Sequence, residues 1–238
     1  MRPIYEPRGK AREYADLALN IFTGCTNGCE YCYAPAVLRK TPEQFEQAII
    51  RHGILEATVR QLGSGDYAGK TIHLCFTCDP YPSDMPTMIT REIIEAIHDA
   101  GANVQILTKN AISAMRDFDI LGERDMFGVS FTGAPPEIEP RSDSCLMRLS
   151  ALRTAKEAGI GTWVSIEPVY DPASVYSVIE SCDFIDVFKI GKLNHRKSDI
   201  DWRRFGEQAE RLCREHGRNY IIKESLREEM RKGGSDER

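Results

Sequence analysis

Apolar and polar positions along this chain change period repeatedly, and each change marks an element. Leu17-Ala18-Leu19-Asn20-Ile21-Phe22 is an apolar run of strand length. Thr41-Pro42-Glu43 then reads as an N-cap with proline at the first helical position. Phe45, Ala48, Ile49, Leu55, Val59 and Leu62 recur at helical spacing until Gly63-Ser64-Gly65 stops that helix. Ile72–Thr77 predicts a second strand, and residues 86–99 a helix striped by Ile89, Ile93, Ile94 and Ile97. Val104–Thr108 predicts a third strand, followed by a helix carrying Met115, Phe118, Ile120 and Leu121. Met126–Phe131 is the fourth strand, residues 143–158 the next helix, and Ile160–Ile166 the fifth strand. Asp171-Pro172 opens a helix that runs to Cys182, before a sixth strand at Phe184–Ile190. A charged helix from about Ile200 to Glu215 and a short seventh strand at Tyr220–Ile222 complete the series.

Strands thus alternate with helices about six times, which predicts a parallel sheet with right-handed crossovers. The count falls short of the eight units of a closed barrel. The expected fold is α/β, a partial (open) TIM-type barrel of about six βα units. The 238 residues suit a single domain, with residues 1–16 as a polar N-terminal arm and 227–238 as a polar, fraying tail.

Composition narrows the setting. The chain is 42% hydrophobic and 28% charged, as ordinary globular proteins are, and its formal net charge is −5. That balance gives no global basic character to support nucleic-acid binding. The opening Met1-Arg2-Pro3-Ile4-Tyr5-Glu6-Pro7 lacks the apolar centre of a signal peptide. No stretch is long and apolar enough to span a bilayer. A cytoplasmic location without membrane contact is therefore expected. There, eight cysteines stay reduced, and clustered ones bind metal more often than each other.

Three of them are clustered. Gly24-Cys25-Thr26-Asn27-Gly28-Cys29-Glu30-Tyr31-Cys32-Tyr33 follows the first predicted strand with C-x3-C-x2-C spacing. Such thiolates suit a soft centre, either an iron–sulfur cluster or zinc. A structural zinc site takes four protein ligands, and no fourth Cys or His stands nearby. A cubane held by three thiolates leaves one iron open for a small molecule. The five histidines show no metal spacing, and only His195 is placed near the expected pocket.

In a parallel barrel the active site lies at the carboxyl ends of the strands. Those ends carry the cysteine loop, Thr77-Cys78-Asp79-Pro80-Tyr81-Pro82, Thr108-Lys109-Asn110, Ser130-Phe131-Thr132, Ser165-Ile166-Glu167-Pro168 and Lys189-Ile190-Gly191-Lys192-Leu193-Asn194.

With Tyr31 just before its third cysteine, the loop resembles the C-x3-C-x-aromatic-C signature of the radical S-adenosylmethionine (SAM) superfamily. The series that follows resembles that superfamily's spore photoproduct lyase-like branch over roughly residues 17–170. It comprises the Asp-Pro-Tyr-Pro run, Thr108-Lys109, Arg116-Asp117-Phe118-Asp119-Ile120-Leu121, Val129-Ser130-Phe131-Thr132, Glu139-Pro140-Arg141 and Ala158-Gly159-Ile160. The resemblance implies that Cys25, Cys29 and Cys32 hold a 4Fe-4S cluster. It implies that Thr77, Cys78 and Asp79 meet the methionyl amino group of SAM and that Lys109 meets its carboxylate. Ser130 would lie near the ribose and Tyr31 against the adenine, with Glu139 and Arg141 in a further loop of the cofactor site. A reductant such as flavodoxin or ferredoxin would supply the electron.

The sequence also departs from that branch. The position of the lyase's hydrogen-donating cysteine holds Phe76, with Cys75 and Cys78 on either side. Period-2 alternation would place Cys75 and Thr77 on one face and Phe76 on the other. Cys75 reads as a buried strand residue, and Cys78 as a candidate hydrogen donor. The substrate is unidentified. Two alternatives stand beside the SAM-cleaving enzyme: a nucleic-acid repair or modification enzyme using the same chemistry, and a zinc-binding interaction module. For the former, Arg196, Lys197, Arg203, Arg204, Arg211, Arg214 and Arg218 could line a phosphate path. Their interleaved acids fit a solvated helix face better.

Overall fold

The computed structural model describes residues 2–194 and 196–232. In chain order its elements are β1 (Leu17–Leu19), β2 (Phe22–Thr23), α1 (Ala34–Val37), α2 (Pro42–Glu46), β3 (Ile49–Ile50), α3 (Ile54–Gly63), β4 (Thr71–Leu74), α4 (Met88–Asp99) and β5 (Asn103–Thr108). There follow α5 (Ala111–Ala114), β6 (Met126–Ser130), α6 (Cys145–Glu157), β7 (Gly161–Ile166), α7 (Pro172–Ser181), β8 (Val187–Ile190), α8 (Trp202–Glu215), β9 (Tyr220–Ile222) and α9 (Glu224–Arg231). Seven strands form one sheet in the order β1-β4-β5-β6-β7-β8-β9, every pair parallel. The sheet does not close, so the fold is the expected partial barrel.

Several of the predicted strands alternate apolar and polar residues at their centres, and the two faces have separate jobs. Ile72, Leu74, Val104, Ile106, Phe127, Val129, Val164, Ile166, Phe188 and Ile190 join one core with helix residues such as Ile93, Ile94, Ile97, Leu152 and Ile179. Between them His73, Gln105, Trp163, Ser165 and Lys189 gather around Tyr14. Gln105 Nε2 and Lys189 Nζ each donate to the Tyr14 carbonyl at 3.0 Å. The Tyr14 ring lies 6.1 Å from His73 and 5.9 Å from Trp163, centre to centre. The arm therefore enters the barrel and fills its middle with Tyr14. It is anchored upstream by an antiparallel bridge between Tyr5 and Ala18. Gly128 makes room in the same layer: a Cβ there would overlap the Trp163 indole, whose Nε1 donates to the Ile106 carbonyl at 3.0 Å.

The structure corrects three expectations. The first strand divides: β1 pairs with β4, whereas β2 turns away to pair antiparallel with β3. The long helix predicted over 42–62 is accordingly two, α2 and α3, interrupted by β3 and by Gly53 at φ +63. Ile49 and Ile50 give their backbone to the β2 ladder and expose their side chains, so Ile49 is no part of a helical stripe. The tail from Arg227 is ordered as far as Arg231. Leu226 is fully buried, and a Cβ at Gly206 of α8 would meet Met230 and Leu226, which marks how closely α9 packs there. Residues 233–238 of the tail lie outside the described residues, as does His195.

Candidate active site

The cysteine loop leaves β2 through Gly24, whose φ of +93 suits glycine. A Cβ there would strike the Phe45 carbonyl, and that same carbonyl accepts the Cys25 N–H at 2.8 Å. Tight apposition to α2 thus fixes where the loop begins. Cys25, Ala34 and Phe45 form a small buried cluster, with Cys32 and Cys78 packed against it. Burial pushes the Cys25 thiol up, with nearby Asp79 adding to it, and burial likewise raises Cys32. Thiols so placed ionise only for a cation that supplies the charge their surroundings withhold.

All three cysteines line a cavity of about 510 Å³ at the carboxyl ends of the strands. Tyr31, Thr77, Cys78, Asp79, Lys109 and Ser130 line it too. Glu139 and Arg141 do not. Arg141 is exposed, donating to the Thr26 carbonyl and, at 2.7 Å, to Glu46. Glu139 is buried behind the cavity wall, where it accepts from the Tyr31 hydroxyl and from Arg148 Nη2 at 2.5 Å. Burial alone would raise the Glu139 carboxyl; the Lys109 and Arg148 cations outweigh it and hold the group below the usual range. Burial alone would lower Lys109; Cys29 and Glu139 outweigh it and the ammonium ends above its ordinary value. Lys109 Nζ stands 5.4 Å from the centre of the Tyr31 ring. A half-buried lysine therefore faces the cavity beside the cysteine loop, and an anion is its natural partner.

Asp79 occupies the junction of three strand exits. Oδ1 accepts from Thr108 Oγ1 at 2.6 Å and Tyr81 N at 2.9 Å. Oδ2 accepts from Lys109 N at 2.8 Å and Asn27 Nδ2 at 3.1 Å. A carboxylate offers about four acceptor positions, and these contacts use them. Asp79 therefore ties the cysteine loop to the segments after β4 and β5. Asn20 anchors a neighbouring segment in the same way, its Oδ1 accepting from Phe76 N at 2.8 Å and Thr77 N at 3.0 Å. Because β4 ends at Leu74, the segment beyond it bonds to Asn20 rather than to a ladder. The alternation expected of Cys75, Phe76 and Thr77 fails for that reason, and all three line the cavity.

The far side of the cavity brings the expected strand-end residues Ser165, Glu167 and Asn194 together with Tyr14 and Lys223, to which the sequence pattern assigns no role. Tyr14 pairs its hydroxyl with Ser165 Oγ at 2.9 Å and donates to Glu167 Oε2 at 3.0 Å. Glu167 also forms an ion pair with Lys223 and accepts from Asn194 Nδ2 at 2.5 Å. Lys223, at the end of β9, carries no motif that distinguishes it from a surface lysine. Among the described residues, no group of three His, Cys, Asp or Glu is placed to hold a single metal ion. The three thiols nonetheless all open on one cavity. No described helix is long and apolar enough to cross a membrane. Three of the four arginines of α8 are paired at its surface: Arg203 with Glu207, Arg211 with Glu215 and Arg214 with Glu210.

Comparison with known proteins places this geometry. A solved spore photoproduct lyase bound to dinucleoside spore photoproduct superposes with a TM-score of 0.65 at 15% identity, covering 90% of this chain and 78% of that one. Another, with bound SAM and dinucleoside spore photoproduct, gives 0.60 at 18% identity, covering 87% and 63%. Streptococcus suis SuiB bound to SAM gives 0.64 at 11% identity, covering 86% and 49%. At these identities the likeness is one of fold. An uncharacterized protein of Acidianus two-tailed virus is 27% identical over 188 residues, 71% of this chain and 62% of its own. One of Methanocaldococcus jannaschii is 27% identical over 168 residues, 65% and 61%. The chain thus spans about three-fifths of the length of these curated relatives. The family profile of the radical SAM superfamily matches residues 19–183, most of the barrel and the whole cysteine loop: the chain belongs to the radical SAM superfamily, whose cofactors are a 4Fe-4S cluster and SAM.

Proposed function

We propose that Cys25, Cys29 and Cys32 hold the 4Fe-4S cluster and that SAM lies in the cavity beside them. Held there, the cluster and SAM would supply one-electron reductive cleavage of the sulfonium and, through it, hydrogen abstraction from a substrate. The chain's own residues bind and orient. Lys109 pairs with the methionyl carboxylate, and the 77–78 segment, held by Asn20, receives the amino group. Ser130 stands at the ribose and Tyr31 at the adenine. Asp79, its acceptor positions filled, acts by fixing Thr108, Lys109 and Asn27 rather than by touching SAM. Glu139 and Arg148 act through Tyr31, and Arg141 braces the cysteine loop from outside. Ala34, Val37, Phe45, Leu107 and Leu193 line the cavity with apolar surface, which excludes water from a reactive radical.

One observation carries this reading: three cysteines at the superfamily's spacing open into the cavity that Lys109, Thr77 and Ser130 also line. The test is anaerobic reconstitution with iron and sulfide, then dithionite and SAM. Methionine and 5'-deoxyadenosine are expected in equal amounts, and Ala at any of the three cysteines should abolish both. A fully loaded protein that leaves SAM intact would overturn the assignment.

Cys78 lines the cavity and packs toward Cys25, which keeps it as the candidate hydrogen donor. Cys78→Ala should then uncouple SAM cleavage from product formation; tight coupling in that variant would exclude the role. The flavodoxin or ferredoxin expected as reductant, and a nucleic-acid substrate like that of the lyase neighbours, are further parts of the proposal.

A further inference from the structure

Two cysteines outside the cluster loop share its cavity. Cys75 and Cys78 both line it, and the Cys75 thiol hydrogen-bonds the Cys78 side chain. The chain curls to bring them together: β4 ends at Leu74, and the backbone bends through residues 76–78. Asn20 holds the curl through Phe76 N and Thr77 N, at 2.8 and 3.0 Å. Both of its ends are fixed as well. Leu74 pairs in the sheet with Leu19 and Ile106, and Asp79 is tied to Asn27, Tyr81, Thr108 and Lys109. A disulfide sets its sulfurs about 2.05 Å apart, so thiols already in contact reach it by a shift within the curl and leave the sheet alone.

The two thiols differ in setting. Cys75 belongs to the main core and is 5% exposed, whereas Cys78 is half-buried and packs toward Cys25. Burial pushes the Cys75 thiol up, and its contact with Cys78 pushes it further. The pair therefore rests as two thiols and lacks the reactive thiolate of an exposed redox site. Cys145, Cys182 and Cys213 do not line the cavity.

We propose that Cys75 and Cys78 act as one redox pair: Cys78 gives a hydrogen atom to a carbon-centred radical in the cavity, and Cys75 captures the sulfur left behind as a disulfide. The proposal rests on the placement of the cluster and SAM given above. The Cys78 S–H bond breaks and a C–H bond forms, leaving a thiyl sulfur. Cys75 releases its proton to solvent and bonds to that sulfur. The surplus electron of the new S–S bond passes to a one-electron acceptor of the iron–sulfur class, which the superfamily supplies. The dithiol has then lost one hydrogen atom, one proton and one electron, and an external dithiol reductant restores it by exchange. Capture by Cys75 makes the transfer one-way, because a thiyl left in the cavity could take the hydrogen back.

The test uses the reconstituted full chain. No Lys or Arg lies between Lys70 and Arg91, so trypsin leaves both cysteines on one peptide, residues 71–91. A disulfide there makes the peptide lighter by two hydrogens and proof against alkylation. In one arm the protein is brought to equilibrium anaerobically with a glutathione redox buffer, without SAM. The 71–91 pair should close on itself; two free thiols, or glutathione on Cys78 beside a free Cys75, would overturn the pairing. In the other arm the protein is reduced with dithionite, freed of the excess and given SAM in deuterated water with no substrate. The 5'-deoxyadenosine should carry deuterium from the exchanged Cys78 thiol, with about one closed 71–91 pair for each molecule labelled. Cys75→Ala should lose the closure, and Cys78→Ala both the closure and the deuterium. Deuterium that persists in Cys78→Ala, or label in wild type without closure, would sink the inference. Intact SAM in a protein whose pair closes in the first arm would leave the pair standing and strike the cofactor placement alone.

Discussion

Thr108 Oγ1 donates to Asp79 Oδ1 at 2.6 Å, joining the exits of two adjacent strands beneath the cysteine loop. Both residues are buried. Replacing Asp79 with Asn turns one acceptor oxygen into a donor that confronts at least one of four N–H or O–H groups. A buried donor left unpaired costs about 1–3 kcal/mol. Asp79→Asn should therefore lower the thermal midpoint and weaken SAM binding tenfold or more, because Lys109 and Asn27 lose their common anchor. Thr108→Val, which removes one donor and leaves the carboxylate, should show a smaller effect in the same direction. Calorimetry together with SAM titration of the reconstituted protein checks both. Equal SAM affinity in Asp79→Asn and wild type would remove Asp79 from the positioning role.

Arg148 is 1% exposed and bridges the Ser130 carbonyl, at 2.9 Å, to Glu139. Its removal strands the Glu139 carboxylate in the interior, and breaking such a pair from one side costs about 3–5 kcal/mol. Glu139→Gln takes the carboxylate from beside the Arg148 and Lys109 cations but keeps an oxygen that can accept from Tyr31 and Arg148, whereas Arg148→Ala also empties the space of a large buried side chain, so Glu139→Gln should cost clearly less than Arg148→Ala. Urea denaturation of the two variants gives the order. If Glu139→Gln proved the worse, the ion pair would not be what holds this wall.

Much of this architecture was legible in the sequence, for a physical reason. Parallel strands and their helices are local, strongly patterned pieces, so the βα alternation, the helix caps at Thr41 and Asp171 and the barrel count follow from short windows. The cysteine spacing is local too. What the sequence hid depends on distant partners. Ile72-His73-Leu74, Val104-Gln105-Ile106 and Phe188-Lys189-Ile190 each place one polar residue between two apolar ones. Together they are the signal of a polar interior, yet each triplet alone looks like an ordinary strand. Tyr14 reads as part of a polar arm because its partners lie on strands far along the chain. Ile49 and Ile50 match a helical stripe by spacing, and only the β2 ladder removes them. Arg148 looks like one more helix cation until Glu139 folds over it.

Tyr14 offers a graded test of the filled barrel. Tyr14→Phe keeps the ring against Trp163 and loses the hydroxyl's contacts to Ser165 and Glu167. A net loss of about 1 kcal/mol is expected, with substrate turnover affected more than SAM cleavage. Tyr14→Ala empties the space among His73, Gln105, Trp163 and Lys189, and aromatic truncations of this kind cost about 3–5 kcal/mol. If both variants melted with wild type, the arm would not be seated in the barrel in solution.

The last prediction concerns pH. His98 Nε2 lies 3.1 Å from Asp125 Oδ1, and Asp125 also accepts from Val104 N at 2.8 Å and Gly122 N at 2.9 Å. The hydrogen bond to Asp125 raises His98 above its ordinary value, against some burial. Burial would raise Asp125, but the bonds from His98, Val104 and Gly122 prevail and lower it. The two groups act in separate windows. The raised His98 contributes stability that is complete below its unfolded pKa and lost as pH rises through its folded one. The lowered Asp125 contributes stability that is present above its unfolded pKa and lost as pH falls through its folded one. His98→Gln keeps a neutral donor to Asp125 and removes only the neutral-pH window. Near pH 6, wild type should exceed the variant by up to about 1 kcal/mol, the scale of a partly exposed pair, or about 2–4 °C for a chain of this size. By pH 8.5 the gap should close, and below pH 4 both proteins should lose stability together. Melting curves across that range decide the point, since a gap that stays constant with pH would mean that Asp125 gains nothing from the imidazolium's charge.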